Sequence, residues 1–136
     1  MTPRAQERLF KKGYAKELLN IAQSDLQCAH VLFQANTIRL ETVGFLCQQC
    51  IEKALKAVLV NLEIPVPMVH EAGILVAKLP SHLTPPQGYD LSQLSPFATQ
   101  LRYEEGKVEL RLEDVKGIMV VSEQVLKWAK QQITGG

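Results

Sequence analysis

The stretch from Phe45 to Leu59 (FLCQQCIEKALKAVL) constrains this chain more than any other. Apolar or small residues at positions 45, 46, 50, 54, 57 and 58 recur at helical spacing, as on a helix face buried against other helices. Gln48, Gln49, Glu52, Lys53 and Lys56 recur at the same spacing and form a second, polar ridge. Glu52 precedes Lys56 by four residues, the favourable orientation for a helical ion pair worth roughly 0.2–0.5 kcal/mol. A helix this apolar is not a lone surface helix. The pattern predicts the central helix of a bundle.

The flanking sequence supplies helices for it to pack against. Tyr14 to about Gln34 reads as a helix, with Leu18, Ala22, Leu26, Ala29 and Leu32/Phe33 on one stripe. Ala35-Asn36-Thr37 breaks the pattern, and the central helix runs from about Leu40 to Leu62. Helices of about 20 residues span roughly 30 Å, and so short a connection makes them an antiparallel hairpin. Pro65 and Pro67 end the second helix and force an extended linker. A third, shorter helix is expected from about Val69 to Leu79, with Ile74, Leu75 and Leu79 inward. Thr84-Pro85-Pro86-Gln87-Gly88 is a loop, and Asp90 suits the N-cap of a short helix over about 91–103. Lys107 to Leu112 alternates polar and apolar residues, but a lone six-residue strand is unstable, so it is read as an extended connector. The last helix begins near Glu113-Asp114, acids suited to a helix N-terminus. It turns Val115, Ile118, Met119, Val125, Leu126 and Ala129 inward and stops at Gly135. The expected fold is all-α: an up-and-down four-helix bundle with one additional short helix.

At 136 residues the chain is one domain, large enough to bury a core without disulfides or metals. Its organisation reads as a basic N-terminal arm over residues 1–13 and a single helical domain over 14–134. There is no run of about 18 apolar residues, so no membrane span is expected. The first eight residues lack the apolar stretch of a signal peptide. Three cysteines, all within predicted helices, suit a reducing compartment, so the cytoplasm is the expected location. A net charge of +1 does not mark an avid polyanion binder, yet residues 1–16 carry Arg4, Arg8, Lys11, Lys12 and Lys16 against Glu7 alone. Such a terminus is either a solvated chain end or an arm that meets phosphates with salt-dependent affinity.

Few constellations carry chemistry. Cys47-Gln48-Gln49-Cys50 is a CxxC inside a helix with no second pair, so neither a four-ligand zinc site nor a redox motif at a helix N-terminus fits it. Free cysteines there act as small apolar residues. His30, His70 and His82 do not pair at ligand spacing, and no metal or cofactor is expected. GxGxxG, GxxxxGK[ST] and GxSxG are all missing. Phosphate contact would come from side chains on helices: Lys53 and Lys56 on the ridge, and Arg102 with its planar fork beside Tyr103. His70, at the start of the third helix, either caps it or lines a cleft. The competing reading of the ridge is a solvated face, and that of Arg102 is an internal ion pair with an acid such as Glu52.

Gln48-Gln49-Cys50-Ile51-Glu52-Lys53-Ala54-Leu55-Lys56-Ala57 resembles the Q-Q-x-x-E-K-A-L-K-A helix of the HEPN family (higher eukaryotes and prokaryotes nucleotide-binding domain). Asp25-Leu26-Gln27-Cys28-Ala29 resembles that family's D-L-x-x-A element, His70-Glu71 its H-(D/E) start of the third helix, and Leu101-Arg102-Tyr103 its A-R-Y element. The elements occur in family order from about residue 14 to 132. The resemblance implies a helical bundle, usually homodimeric, and often a minimal nucleotidyltransferase as partner in a toxin–antitoxin pair. Many members are RNases with an R-x(4–6)-H motif. Here the positions after Arg102 that would hold the histidine are Lys107, Val108 and Glu109. Proton transfer near pH 7 beside a phosphate-holding cation needs such a group. The resemblance therefore points to a nucleotide- or RNA-binding, non-catalytic partner protein, with Lys53, Lys56, His70, Arg102 and Tyr103 as contact residues. The alternatives are a metal-independent RNase with a non-standard site, and a module for dimerisation alone.

Overall fold

The computed structural model describes residues 6–36, 39–86 and 111–135. In order they form β1 (Glu7–Arg8), α1 (Tyr14–Ala35), α2 (Leu40–Asn61), β2 (Val66–Pro67), α3 (Ala72–Ala77) and α4 (Leu112–Thr134). Four helices pack together, with a two-strand ribbon at one edge. The two long predicted helices lie within a residue of their expected bounds, because the apolar spacing and the break at Asn36 (φ 59°) define them.

Helix α2 is central: it packs against α1, α3, α4 and β2. Val43, Cys47, Cys50, Ile51, Ala54, Leu55, Val58 and Leu59 are buried, so nearly its whole circumference meets protein. Burying side chains such as Ile51, Leu55 and Leu59 stabilises the fold by about 1.5–3 kcal/mol each. The inner stripe of α1 (Leu18, Ala22, Leu26, Ala29) and that of α4 (Val115, Ile118, Met119, Val125, Leu126, Ala129) close the core as their periodicity predicts.

The end of α2 sets the course of the linker. Ile64 N–H donates to Leu59 O and Glu63 N–H to Val60 O, both at 3.0 Å, the paired bonds of a Schellman stop. Glu63 occupies the left-handed position with φ 59°, a place usually given to glycine. The chain then leaves extended. β2 pairs antiparallel with β1, Arg8 opposite Val66 and Glu7 opposite Pro67. Met68 N–H donates to Gln6 O at 2.7 Å.

This pairing shortens the third helix. It was expected from Val69, but Met68 is held in the ribbon and Glu71 is still extended (φ −119°, ψ 113°), so α3 covers only Ala72–Ala77. Six residues offer one inward stripe, which Ala72 and Leu75 take. Ile74, expected inward, is therefore turned out and 38% exposed, while Leu79 is buried. Arg111 is the N-cap of α4, and its N–H donates to Asp114 Oδ2 at 3.0 Å; Gly135 closes the helix with φ 72°. The short helix expected over 91–103 lies outside the described residues, as does residues 107–110 of the predicted connector.

Candidate functional site

The polar ridge of α2 is largely covered, with Gln49, Lys53 and Lys56 half-buried. Gln48 has no exposed surface and Glu52 is 1% exposed. The sequence shows the ridge's period but not what covers it; here α1 and the linker beyond β2 do. A buried carboxylate must be matched by donors or it costs several kcal/mol, and three side chains match this one. Glu52 Oε1 accepts from Lys56 Nζ at 3.3 Å and lies 2.6 Å from His70 Nδ1. Its Oε2 accepts from Gln49 Nε2 at 3.2 Å. The Lys56 side chain is 13% exposed, that of His70 75%.

When Glu52 is ionised its carboxylate only accepts, and Nδ1 of His70 then carries the shared proton and leaves Nε2 on the exposed ring. The buried carboxylate thus fixes the tautomer of a solvent-facing imidazole. His70 holds this position because β2 and the Met68–Gln6 bond anchor the chain two residues earlier.

Asp25 of α1 completes the cluster. Lys53 Nζ donates to Gln49 Oε1 at 3.0 Å and lies 3.6 Å from Asp25 Oδ2, an ion pair too long for a hydrogen bond. Asp25 Oδ2 and both amide atoms of Gln48 are buried without a hydrogen-bond partner among the described residues. Burial pushes the Asp25 carboxyl above its ordinary value, against the opposing pull of Lys53. Two acids, Asp25 and Glu52, thus face two lysines, Lys53 and Lys56.

Three of the five predicted contact residues, Lys53, Lys56 and His70, therefore share one network organised by Glu52. Arg102 and Tyr103 lie outside the described residues. Reading by type and spacing missed Asp25, which stands in the Ser24-Asp25-Leu26 element but shows its partner only in three dimensions. The CxxC pair is core: Cys47 and Cys50 are buried, and burial pushes their thiols up to about 11 and about 12. Cys50 Sγ lies 3.9 Å from Ser122 O. His30 pairs with Glu123 at 2.9 Å on an exposed surface. Among the described residues no group of three His, Cys, Asp or Glu side chains could hold a metal ion, and no helix is long and apolar enough to cross a membrane.

The helical bundle and its Q-Q-x-x-E-K helix agree with the comparison against known families. The chain belongs to the HEPN family: the model of the HEPN domain matches residues 15–132. No curated protein and no solved structure matches it.

Proposed function

We propose that this HEPN protein binds a nucleotide or RNA without cleaving it and is the partner of a minimal nucleotidyltransferase in a toxin–antitoxin-type pair. The observation that supports binding is the gathering of Lys53, Lys56 and His70 about Glu52. The two lysines differ in what they can offer. Lys56 is nearly buried and bonded to Glu52, so it holds the site together. Lys53 is a quarter exposed, and its ion pair with Asp25 is long, so a phosphate competes for it at little cost. By residue type, Arg102 and Tyr103 offer such a ligand a planar cation and an aromatic face. The missing histidine after Arg102 supports the non-catalytic assignment.

The test is anisotropy with a labelled single-stranded RNA, comparing the native chain with Lys53→Ala, His70→Ala and Arg102→Ala. Each variant is expected to bind at least about fivefold more weakly. Unchanged affinity in a folded Arg102→Ala protein removes Arg102 from the site. Co-purification with a minimal nucleotidyltransferase expressed alongside tests the partner role, and two separate elution peaks refute it.

One observation favours a second reading, an RNase with a substitute proton-transfer group. The Glu52–His70 contact orients an exposed imidazole as a carboxylate orients a catalytic histidine. Cleavage of end-labelled RNA, lost in a folded His70→Ala variant, would replace the non-catalytic reading with this one.

A further inference from the structure

A second group of cations lies where the N-terminal segment meets the bundle. Arg8, Leu9, Phe10, Lys11 and Tyr14 line an open cleft of about 470 Å³ where the N-terminal segment enters α1. Its floor is aromatic: the Phe10 and Tyr14 rings stack with centroids 5.1 Å apart and planes within 17°. The Arg8 guanidinium lies 4.7 Å above the Phe10 ring, extending the stack by a cation. Phe10 and Tyr14 also pack on the core, and Tyr14 N–H donates to Lys11 O at 2.9 Å. The platform is held from both sides.

Among the described residues its charge is unpaired. Arg8, Lys11, Lys12 and Lys16 have no acid within ion-pair distance among the described residues, whereas Lys53 and Lys56 do. Glu7, the acid nearest in sequence on the ribbon, is taken by Lys78 at 2.8 Å. Glu17, in the first turn of α1, is the remaining acid beside this group. Flat rings bordered by free cations suit a ligand with π-faces on an anionic backbone, the chemistry of a single nucleic-acid strand.

We propose that the Arg8–Phe10–Lys11–Tyr14 cleft is a second binding site, which takes a nucleotide unit of single-stranded RNA with its base on the aromatic stack and its flanking phosphates on Arg8 and Lys11. It lies outside the Glu52 network and rests on the RNA-binding reading only for its ligand class. Lys12 and Lys16 follow in the sequence and add positive charge near the start of α1. Leu9, 64% exposed, gives the sugar an apolar edge.

The experiment titrates labelled single-stranded RNA, and a duplex of the same sequence, into the full chain at several salt concentrations. The native chain is compared with Arg8→Ala/Lys11→Ala and with Phe10→Leu, which keeps an apolar side chain against the core but removes the ring that stacks on Tyr14; thermal melts confirm folding. The charge variant is expected to bind more weakly and to lower the slope of log K against log salt by about 1.4, from about 0.7 for each of two phosphates. Phe10→Leu is expected to lose about fivefold or more for the single strand, with the slope unchanged. Native-like affinity and slope in both variants overturn this site while leaving RNA binding at the Glu52 network intact. Equal affinity for duplex and single strand, unaffected by Phe10→Leu, also overturns it, because the contact is then electrostatic alone. A native chain that binds no RNA even at low salt refutes both readings together.

Discussion

Replacing Glu52 by glutamine tests whether the buried carboxylate organises its surroundings. The two side chains have nearly the same shape, so the change removes charge rather than volume. Glu52 Oε1 serves both Lys56 and His70, and a glutamine oxygen in that place still accepts from them. The new amide nitrogen then faces Gln49 Nε2, so Gln49 must flip, and flipping withdraws its oxygen from Lys53. Lys56 suffers most, because its ammonium is largely shielded from water. Removing one partner from a fully buried pair costs about 3–5 kcal/mol, and the partial exposure of Lys56 lowers this to about 2–3 kcal/mol. His70 is mostly exposed and adds less than about 1 kcal/mol. The expected loss is about 2–4 kcal/mol, a large part of a usual folding free energy of about 5–15 kcal/mol. At about 4 °C per kcal/mol for a chain of this length, Tm falls by about 8–16 °C. Urea denaturation measures it, with m unchanged. Adding Lys56→Met should recover at least about 1 kcal/mol, because methionine leaves no buried cation. A Glu52→Gln protein within about 0.5 kcal/mol of the native chain, or strict additivity in the pair, refutes the argument.

Asp25→Asn should stabilise the fold at neutral pH. The folded carboxyl is raised above its ordinary value of 3.8, so its ionisation costs stability as pH climbs above that value. The gain should vanish as pH is lowered below about 3.8, and melts across pH check it. Thiol titration of the native chain should find one reactive cysteine, Cys28, which is exposed. Cys47 and Cys50 should react only after denaturation, since burial holds both as thiols far above neutrality. Glu63→Gly should raise stability by about 0.5–1 kcal/mol, the strain of about 1–2 kcal/mol for a side chain at a left-handed position less glycine's extra unfolded-state freedom; a decrease in the denaturation midpoint would show that the native side chain contributes more than its strain costs.

Helices were legible where one face repeats. The inward residues of α1 and α4 follow from periodicity because burial there selects residue type directly. The ridge of α2 was legible as a ridge but not as a buried one, since Gln, Glu and Lys at helical spacing read alike against water or against donors. Contacts between elements carry that difference: His70 lies 18 positions from Glu52, and Asp25 belongs to another helix. The ribbon escaped notice because two residues per strand are too few for an alternating pattern, and its effect on Val69–Glu71 misplaced the start of α3. Arg102 and Tyr103 rest on their residue chemistry and on the family resemblance, and lie outside the described residues.

The ribbon joins positions 60 residues apart, Glu7 and Pro67, through two residue pairs and an exposed Glu7–Lys78 contact. Such a short pair of strands has little stability of its own. It should open far more often than the bundle melts, as a separate unit of local unfolding. The Met68 amide would then exchange with solvent hydrogen well before the amides of α2. Because Arg8 stands on that strand, the proposed occupancy of the aromatic cleft would be linked to closure of the ribbon. A ligand that requires Arg8 in place slows exchange at Met68, and a tighter ribbon raises affinity by the same factor.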